Sequence, residues 1–474
     1  MQKLTCDILI LGAGSGGLSV AAGASQMGAD VILLEGHKMG GDCLNYGCVP
    51  SKALIAAADR AHMMGRLSDY GIANVTPDVD YAAVQNHVAG VIAQIAPVDS
   101  QERFEGFGVR VIRAYGRFVS PTEVEAGDYR IAARRIVIAT GSSPLVPPIP
   151  GLDRVPYLTN ETLWSLDSCP DHLLIIGGGP IGMEMAQAHR RLGAKVTVLE
   201  GAKALGREDP ECAARVLEAM RAEGVDVIED ANVTRVSGSG EEGGVSVVLE
   251  DGRDIAGSHL LVAVGRRANT ENLGLEVAGI ETTPTGIKVD AALKTTNRKV
   301  YAIGDAAGGL MFTHVAGYHA GIVVRSAVLG LPAKASTTHI PRATYTRPEL
   351  AQVGMTEAEA RTAHGDSLEV ARFDFGHNDR LVAERSAQGF IKTMVVRGRP
   401  VGVSIVGPQA GELANFWSMV IANNLKMSAV SAMVSPYPTV GEINKRVAGA
   451  YFSPRLFENE TVKTVVRLIQ RWLP

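Results

Sequence analysis

An α/β fold is predicted for this chain on three observations. A short apolar strand runs into a glycine-rich turn and helix, the same unit recurs further on, and the length of 474 residues exceeds what one hydrophobic core usually organises. The first unit runs from Cys6 to Leu11, turns through Gly12-Ala13-Gly14-Ser15-Gly16-Gly17, continues as a small-residue helix and ends in a strand from Ala29 to Glu35. Gly12 permits the tight turn, and Gly14 lets the backbone approach a pyrophosphate at the helix N-terminus. Gly17 allows the helix to pack closely on the strand, and Glu35 can accept from ribose hydroxyls. A strand before, a helix after and an acid at the expected distance make this a dinucleotide-binding unit rather than a bare glycine turn.

The second unit runs from Leu173 to Ile176, through Gly177-Gly178-Gly179-Pro180-Ile181-Gly182 and a helix, to Ala194 through Glu200. Gly12, Gly28 and Glu35 match Gly177, Gly193 and Glu200 at one constant offset. Two complete sites imply two dinucleotides, and hydride chemistry explains why one protein binds a pair. A carboxylate at position 200 hydrogen-bonds a ribose diol and repels a 2′-phosphate, which favours NAD(H) over NADP(H). Lys203 and Arg207, just downstream, leave a phosphate-binding alternative open.

Between the units lies Gly40-Gly41-Asp42-Cys43-Leu44-Asn45-Tyr46-Gly47-Cys48-Val49-Pro50-Ser51-Lys52. Two cysteines on the first turn of a helix have their thiolates stabilised by the exposed N–H groups and positive end of that helix. Such a dithiol exchanges electrons with a flavin ring, so the first unit is expected to hold FAD and the second the nicotinamide. Cys6, Cys169 and Cys212 are scattered and are expected to be buried small hydrophobes. Five cysteines in so long a chain do not make a secreted disulfide framework.

A formal net charge of −4 gives no electrostatic footprint for nucleic acid, which is excluded as a partner. The N-terminus passes straight into a strand without a signal-peptide pattern, and no segment reaches transmembrane length, so a cytoplasmic protein is expected. His319, His339 and His377 lack ligand-spaced partners, and no metal cofactor is predicted.

These residues resemble the class I pyridine nucleotide-disulfide oxidoreductases, over essentially the whole chain. The resemblance is carried by the cysteine box, by Ala139-Thr140-Gly141, by Ala263-Val264-Gly265-Arg266-Arg267, by Val300-Tyr301-Ala302-Ile303-Gly304-Asp305, and by Tyr345 to Gly354. It implies two Rossmann-like domains, for FAD and NAD(P), plus a C-terminal α+β dimerisation domain and a homodimer. The FAD domain would span 1–148 and 271–336, with the NAD(P) domain inserted at 149–270 and the dimerisation domain at 338–474. FAD would be held by Gly12, Gly14, Gly17, Glu35, Gly41, Asp42, Lys52, Gly116, Thr140, Gly141, Gly304, Asp305, Met311, Thr313 and His314. NAD(P) would be held by Gly177, Gly179, Pro180, Ile181, Gly182, Glu184, Glu200, Val233 and Gly265. Cys48 would face the flavin as a thiolate, and Cys43, the more exposed sulfur, would meet the substrate. Lys52, one helical turn beyond Cys48, would pair with Glu184. His314 is expected to pack rather than to catalyse.

Three departures from the family pattern bear on the acceptor. Asp42 stands where many relatives have threonine, and either approaches the FAD pyrophosphate or caps a helix. Tyr437-Pro438-Thr439-Val440-Gly441-Glu442 replaces His-Pro-Thr-x-x-Glu, in which histidine from the partner subunit moves the substrate thiol proton. A phenol with a reference pKa of about 10 is a poor base beside imidazole at about 6.5. The tyrosine resembles the mercuric-reductase branch, as do Arg207-Glu208-Asp209-Pro210 and Arg221 to Val225, yet no cysteine follows Cys212, and an N-terminal metal-binding domain is not expected.

Expected function is therefore electron transfer between NAD(P)H, FAD, the Cys43-Cys48 disulfide and an external acceptor, with Tyr437 and Glu442 at the catalytic centre. The acceptor is a small or protein-bound disulfide or, alternatively, a soft metal ion. A membrane-docked flavin sensor with little turnover is the third reading. The last helix sets Val462, Val465, Val466, Ile469, Trp472 and Leu473 against Lys463, Arg467 and Arg471. Packing on the dimer body is favoured for it over weak contact with an anionic membrane surface.

Overall fold

The computed structural model describes residues 1–239 and 244–473. Its first sheet has seven strands, with Gln2–Leu11 at the centre. Val31–Leu34 and then Arg110–Ile112 lie parallel on one side of it, and Tyr129–Ile138 lies parallel on the other. Ile8, Leu9, Ile10 and Leu11 are almost wholly buried, because both faces of a parallel sheet are covered. Each such side chain contributes about 1.5–3 kcal/mol on burial. Val300–Ala302, far along the chain, joins this sheet through Tyr129–Ile138 in register Val300 to Ile136. The Gly304-Asp305 turn is thereby delivered beside the Gly12 turn.

A second parallel sheet orders Val225–Ile228, Lys195–Leu199, His172–Ile176 and His259–Val262. The repeat seen in the sequence is reproduced atom for atom at the turns. A Cβ on Gly12 would lie 2.4 Å from the Ala139 carbonyl oxygen, and one on Gly177 would lie 2.4 Å from that of Ala263. Gly17 and Gly182 sit against the carbonyls of Gly12 and Gly177, where a Cβ would approach to 1.9 and 2.0 Å. These two glycines set helix–strand packing.

A five-stranded antiparallel sheet, Pro341–Thr344, Glu349–Gly354, Arg399–Gly407, Phe390–Val396 and Leu368–Asp374, forms the C-terminal unit. Helices Ala410–Ala422 and Glu442–Phe457 complete its core, where the buried Trp417 indole donates to Asn444 Oδ1 at 2.7 Å. Lys392 in this sheet is buried among Asp209, Glu211 and Glu357 at 3.0, 2.9 and 2.8 Å. Asp209 also caps helix Pro210–Ala222 through the Glu211 N–H, and Glu208 accepts from Arg342 at 3.1 Å. The Glu208-Asp209 segment therefore ties the second sheet to the third. Of the three cysteines expected to be buried, Cys6 and Cys212 are, whereas Cys169 is half-buried.

Candidate active site

Both glycine turns, the cysteine box and the Gly304–His314 segment open on one cleft of ≈ 2970 Å³. Sites for single small ligands run to roughly 300–1,000 Å³, so this volume suits two dinucleotides end to end. Helices Ser15–Gln26 and Pro180–Arg191 begin at Gly14 and Gly179 with no side-chain cap, leaving their first-turn N–H groups for anionic groups in the cleft. Glu35 and Glu200 are held alike. Glu35 accepts from Ala13 N–H at 2.8 Å and His37 N–H at 2.7 Å, and Glu200 from Gly178 N–H at 2.7 Å and Ala202 N–H at 2.9 Å. The residues present thus fit both groups.

The two cysteines stand on successive helices, Gly41–Asn45 and Cys48–Met64, rather than on one. The break falls at Gly47, whose backbone is non-helical and where a Cβ would lie 2.8 Å from Asp42 Oδ2. Cys48 is the first residue of the long helix, at its positive end. Its thiol pKa is lowered to about 6, first by the hydrogen bond from Cys43, then by the Thr313 hydroxyl and the Lys52 charge, against the penalty of burial. The Thr313 oxygen lies 3.2 Å from the sulfur. Cys43 keeps its proton, pushed far above the thiol range by the same pairing. Both cysteines line the cleft, Cys48 as an exposed residue and Cys43 as a half-buried one. Cys48 opens on the cleft, while the short helix carrying Cys43 is pinned from behind.

That pinning involves Asn160 and Trp164, which the sequence did not single out. Asp42 does not cap its helix; its Oδ1 accepts from Asn160 Nδ2 at 3.0 Å and pairs with Arg266 at 3.2 Å. Trp164 Nε1 donates to the Tyr46 carbonyl at 2.9 Å. Arg266 also holds Ser142 through its hydroxyl and carbonyl, and lies 3.9 Å from Asp305, to which Ser142 donates at 2.6 Å. Burial raises the Asp305 pKa, with Ser142 and Arg266 opposing. Behind that turn His319, which had read as isolated, accepts from Gly304 N–H at 3.1 Å.

Lys52 meets Glu184 at 2.7 Å across the cleft. Glu184 is otherwise buried and accepts from Tyr345 N–H at 2.9 Å, while the Lys52 ammonium lies 4.4 Å from the Tyr345 ring centroid. One residue of the C-terminal unit thus fixes both partners of the ion pair.

Most of the other expected contact residues line the same cleft, among them Gly41, Thr140, Gly141, Gly265, Val233, Pro180, Ile181 and Met311. The Thr140 hydroxyl donates to the Asn269 carbonyl at 2.7 Å, and Asn269 Nδ2 donates back to the Thr140 carbonyl at 3.0 Å. His314 is exposed at the cleft, its ring stacked on Phe312 and bonded to the Pro341 carbonyl at 2.8 Å. Gly116 is a correction: it does not line the cleft but fits against Leu34 and Val124, and Tyr115 lines the cleft in its place. Lys203 is engaged by Asp230 at 2.7 Å, although both are largely exposed and the pair is weak.

Tyr437 and Glu442 lie outside the cleft of their own chain. Tyr437 is 66% exposed and donates to Asp379 Oδ2 at 2.8 Å, which raises the phenol pKa further. Glu442 pairs with Arg446 at 2.8 Å. Among the described residues no group of three or more His, Cys, Asp or Glu converges as a metal site.

A mixed α/β chain whose two glycine turns and one dithiol share a single cleft is a flavin- and nicotinamide-dependent disulfide oxidoreductase. It belongs to the pyridine nucleotide-disulphide oxidoreductase family, whose model matches residues 6–320, with that family's dimerisation domain at 340–448. The chain is 32% identical to mercuric reductase of Lysinibacillus sphaericus over 441 residues, covering 92% of this chain and 81% of that one. It is 34% identical to dihydrolipoyl dehydrogenase of Thermus scotoductus over 454 residues, covering 92% and 95%. Among solved structures it is similar to the Cu(II) complex of the HOCl-induced flavoprotein disulfide reductase RclA from Escherichia coli. That likeness has a TM-score of 0.83 at 30% identity and covers 93% of this chain and 99% of the other.

Proposed function

We propose that this chain forms a homodimeric, NADH-preferring reductase in which the Cys43-Cys48 dithiol delivers two electrons to an external acceptor other than plain lipoamide. The observation that carries this is the asymmetric thiol pair at the junction of the two dinucleotide arms. Cys48 is a thiolate near neutral pH and Cys43 retains its proton. Bound FAD supplies the two-electron relay between nicotinamide and dithiol. The chain's own groups do the rest. Arg266, Asn160 and Trp164 hold the box in place, Lys52 and Glu184 keep a compensated charge pair in the cleft, and the dithiol closes to a disulfide as the acceptor is reduced.

A soft metal ion as acceptor is the second reading, favoured by Tyr437. A disulfide substrate needs a base to take the Cys43 proton, and a phenol bonded to Asp379 is poorly matched to that task. Coordination of a soft cation displaces a thiol proton without any base. The mercuric reductases and the copper complex of RclA point the same way.

Anaerobic titration with NADH should produce a long-wavelength thiolate–flavin band at one equivalent. A panel of lipoamide, glutathione disulfide, quinones, Hg(II) and Cu(II) should then show reoxidation by a member other than lipoamide. Absence of reoxidation by every member would favour a redox sensor over an enzyme.

The NADH preference is inferred from Glu200, a carboxylate at the end of the second strand held by two backbone N–H groups, which would repel a 2′-phosphate. Glu200→Ala is expected to narrow the NADH-over-NADPH ratio of kcat/KM about tenfold, the loss of one repulsive contact. An unchanged ratio would place the discrimination elsewhere.

A further inference from the structure

The helix Glu460–Trp472 has no buried residue, and its apolar side chains fall on one side at about 100° per residue. Trp472 is 85% exposed, Leu468 49% and Ile469 46%, and the strip continues into Phe457, 70% exposed, at the end of the preceding helix. The opposite side carries Lys463, Arg467 and Arg471 against one acid, Glu460, which is engaged by Lys463 at 2.7 Å. The dimerisation-domain match ends at residue 448, before this helix begins. No helix of the described residues is long and apolar enough to cross a membrane, which leaves the interfacial plane as the lipid geometry open to this one.

We propose that Glu460–Trp472 lies in the plane of an anionic lipid surface, with Leu468, Ile469 and Trp472 entering the headgroup–acyl boundary and Arg467 and Arg471 meeting lipid phosphates. The segregation of charge decides the occupant. A protein-covered apolar helix needs no net positive rim, whereas a helix lying in anionic lipid gains from each basic group at headgroup level and from a tryptophan at the boundary. Net positive charge on this helix contrasts with the chain's overall −4. The inference goes beyond the reductase reading and does not depend on it, since it concerns where the enzyme sits.

The test uses the full-length, FAD-loaded protein and vesicles of phosphatidylglycerol or of phosphatidylcholine alone. Co-sedimentation with the first and not the second is expected, weakening with added salt, together with a blue shift of Trp472 emission. Arg467→Glu with Arg471→Glu should lower the bound fraction about tenfold or more, and Leu468→Glu should abolish binding, both with turnover retained. Trp472→Phe should remove the blue shift without removing binding. Absence of binding to phosphatidylglycerol, or binding equally strong in the charge-reversed variant, overturns the proposal. So does dissociation of the dimer in Leu468→Glu, which would show that the partner subunit covers this face.

Discussion

Cys48→Ser is expected to abolish NADH-driven reduction of any acceptor, by roughly three orders of magnitude or more, and to remove the long-wavelength band of the reduced protein. The structure gives the reason in the order of the forces on that sulfur. The Cys43 hydrogen bond is the largest of them, with Thr313 and Lys52 adding to it, and together they outweigh burial to bring the thiol to about 6. In wild-type protein the band should therefore grow as pH rises through about 6, since the thiolate is the form present above its pKa. Cys43→Ser keeps a donor and should leave that midpoint near its wild-type value, whereas Cys43→Ala removes the donor and should move it upward. Spectrophotometric pH titration under anaerobic conditions reads all three variants. A band that survives Cys48→Ser, or a midpoint indifferent to Cys43→Ala, would show that the sulfur roles are assigned wrongly.

The parts of this site that are legible in the sequence are those set by local geometry. Gly12 and Gly177 must be glycine because each turn runs within van der Waals distance of a neighbouring strand's carbonyl, and the fingerprint encodes that requirement directly. Lys52 is readable because one helical turn separates it from Cys48. The contacts that orient the box are of another kind. Asn160, Trp164 and Arg266 reach Asp42 and Tyr46 from more than a hundred residues away, and nothing in the neighbourhoods of Asn160 and Trp164 marks them. Arg266 could have been suspected, since it follows Gly265 in a motif whose strand partner is the segment bearing Ser142. The Glu208-Asp209 segment, read in the sequence as a likeness to the mercuric-reductase branch, carries an interdomain tie to Lys392 and Arg342 that the sequence does not mark. Gly47 is a subtler case: both cysteines read as standing on the first turn of one helix, yet the backbone leaves helical geometry at Tyr46 and Gly47, so each cysteine stands on its own helix.

Tyr437→His is expected to raise NAD⁺-dependent oxidation of dihydrolipoamide by about a hundredfold, the lower end of what a well-matched general base contributes. The wild-type phenol loses on two counts. Its reference pKa of about 10 is far from working pH, and Asp379, by accepting its proton at 2.8 Å, pushes it higher still. An imidazole at this position on the partner subunit would be neutral above about 6.5. The new activity should therefore rise with pH through that value, an inflection the wild-type protein lacks. Glu442 stands at the spacing of a histidine-orienting carboxylate but is committed to Arg446 at 2.8 Å. Adding Arg446→Gln to Tyr437→His should release that carboxylate and raise the rate further, while Arg446→Gln alone should change lipoamide turnover little. With a soft metal ion as acceptor the dependence should reverse, Tyr437→Phe lowering turnover because an oxygen ligand is lost. Steady-state assays of the four variants with both acceptor classes, run beside flavin content and dimer size, separate these outcomes. A Tyr437→His protein with full flavin, intact dimer and unchanged lipoamide rate would mean that the thiol proton leaves by another route, and that the tyrosine is not what keeps this enzyme from lipoamide.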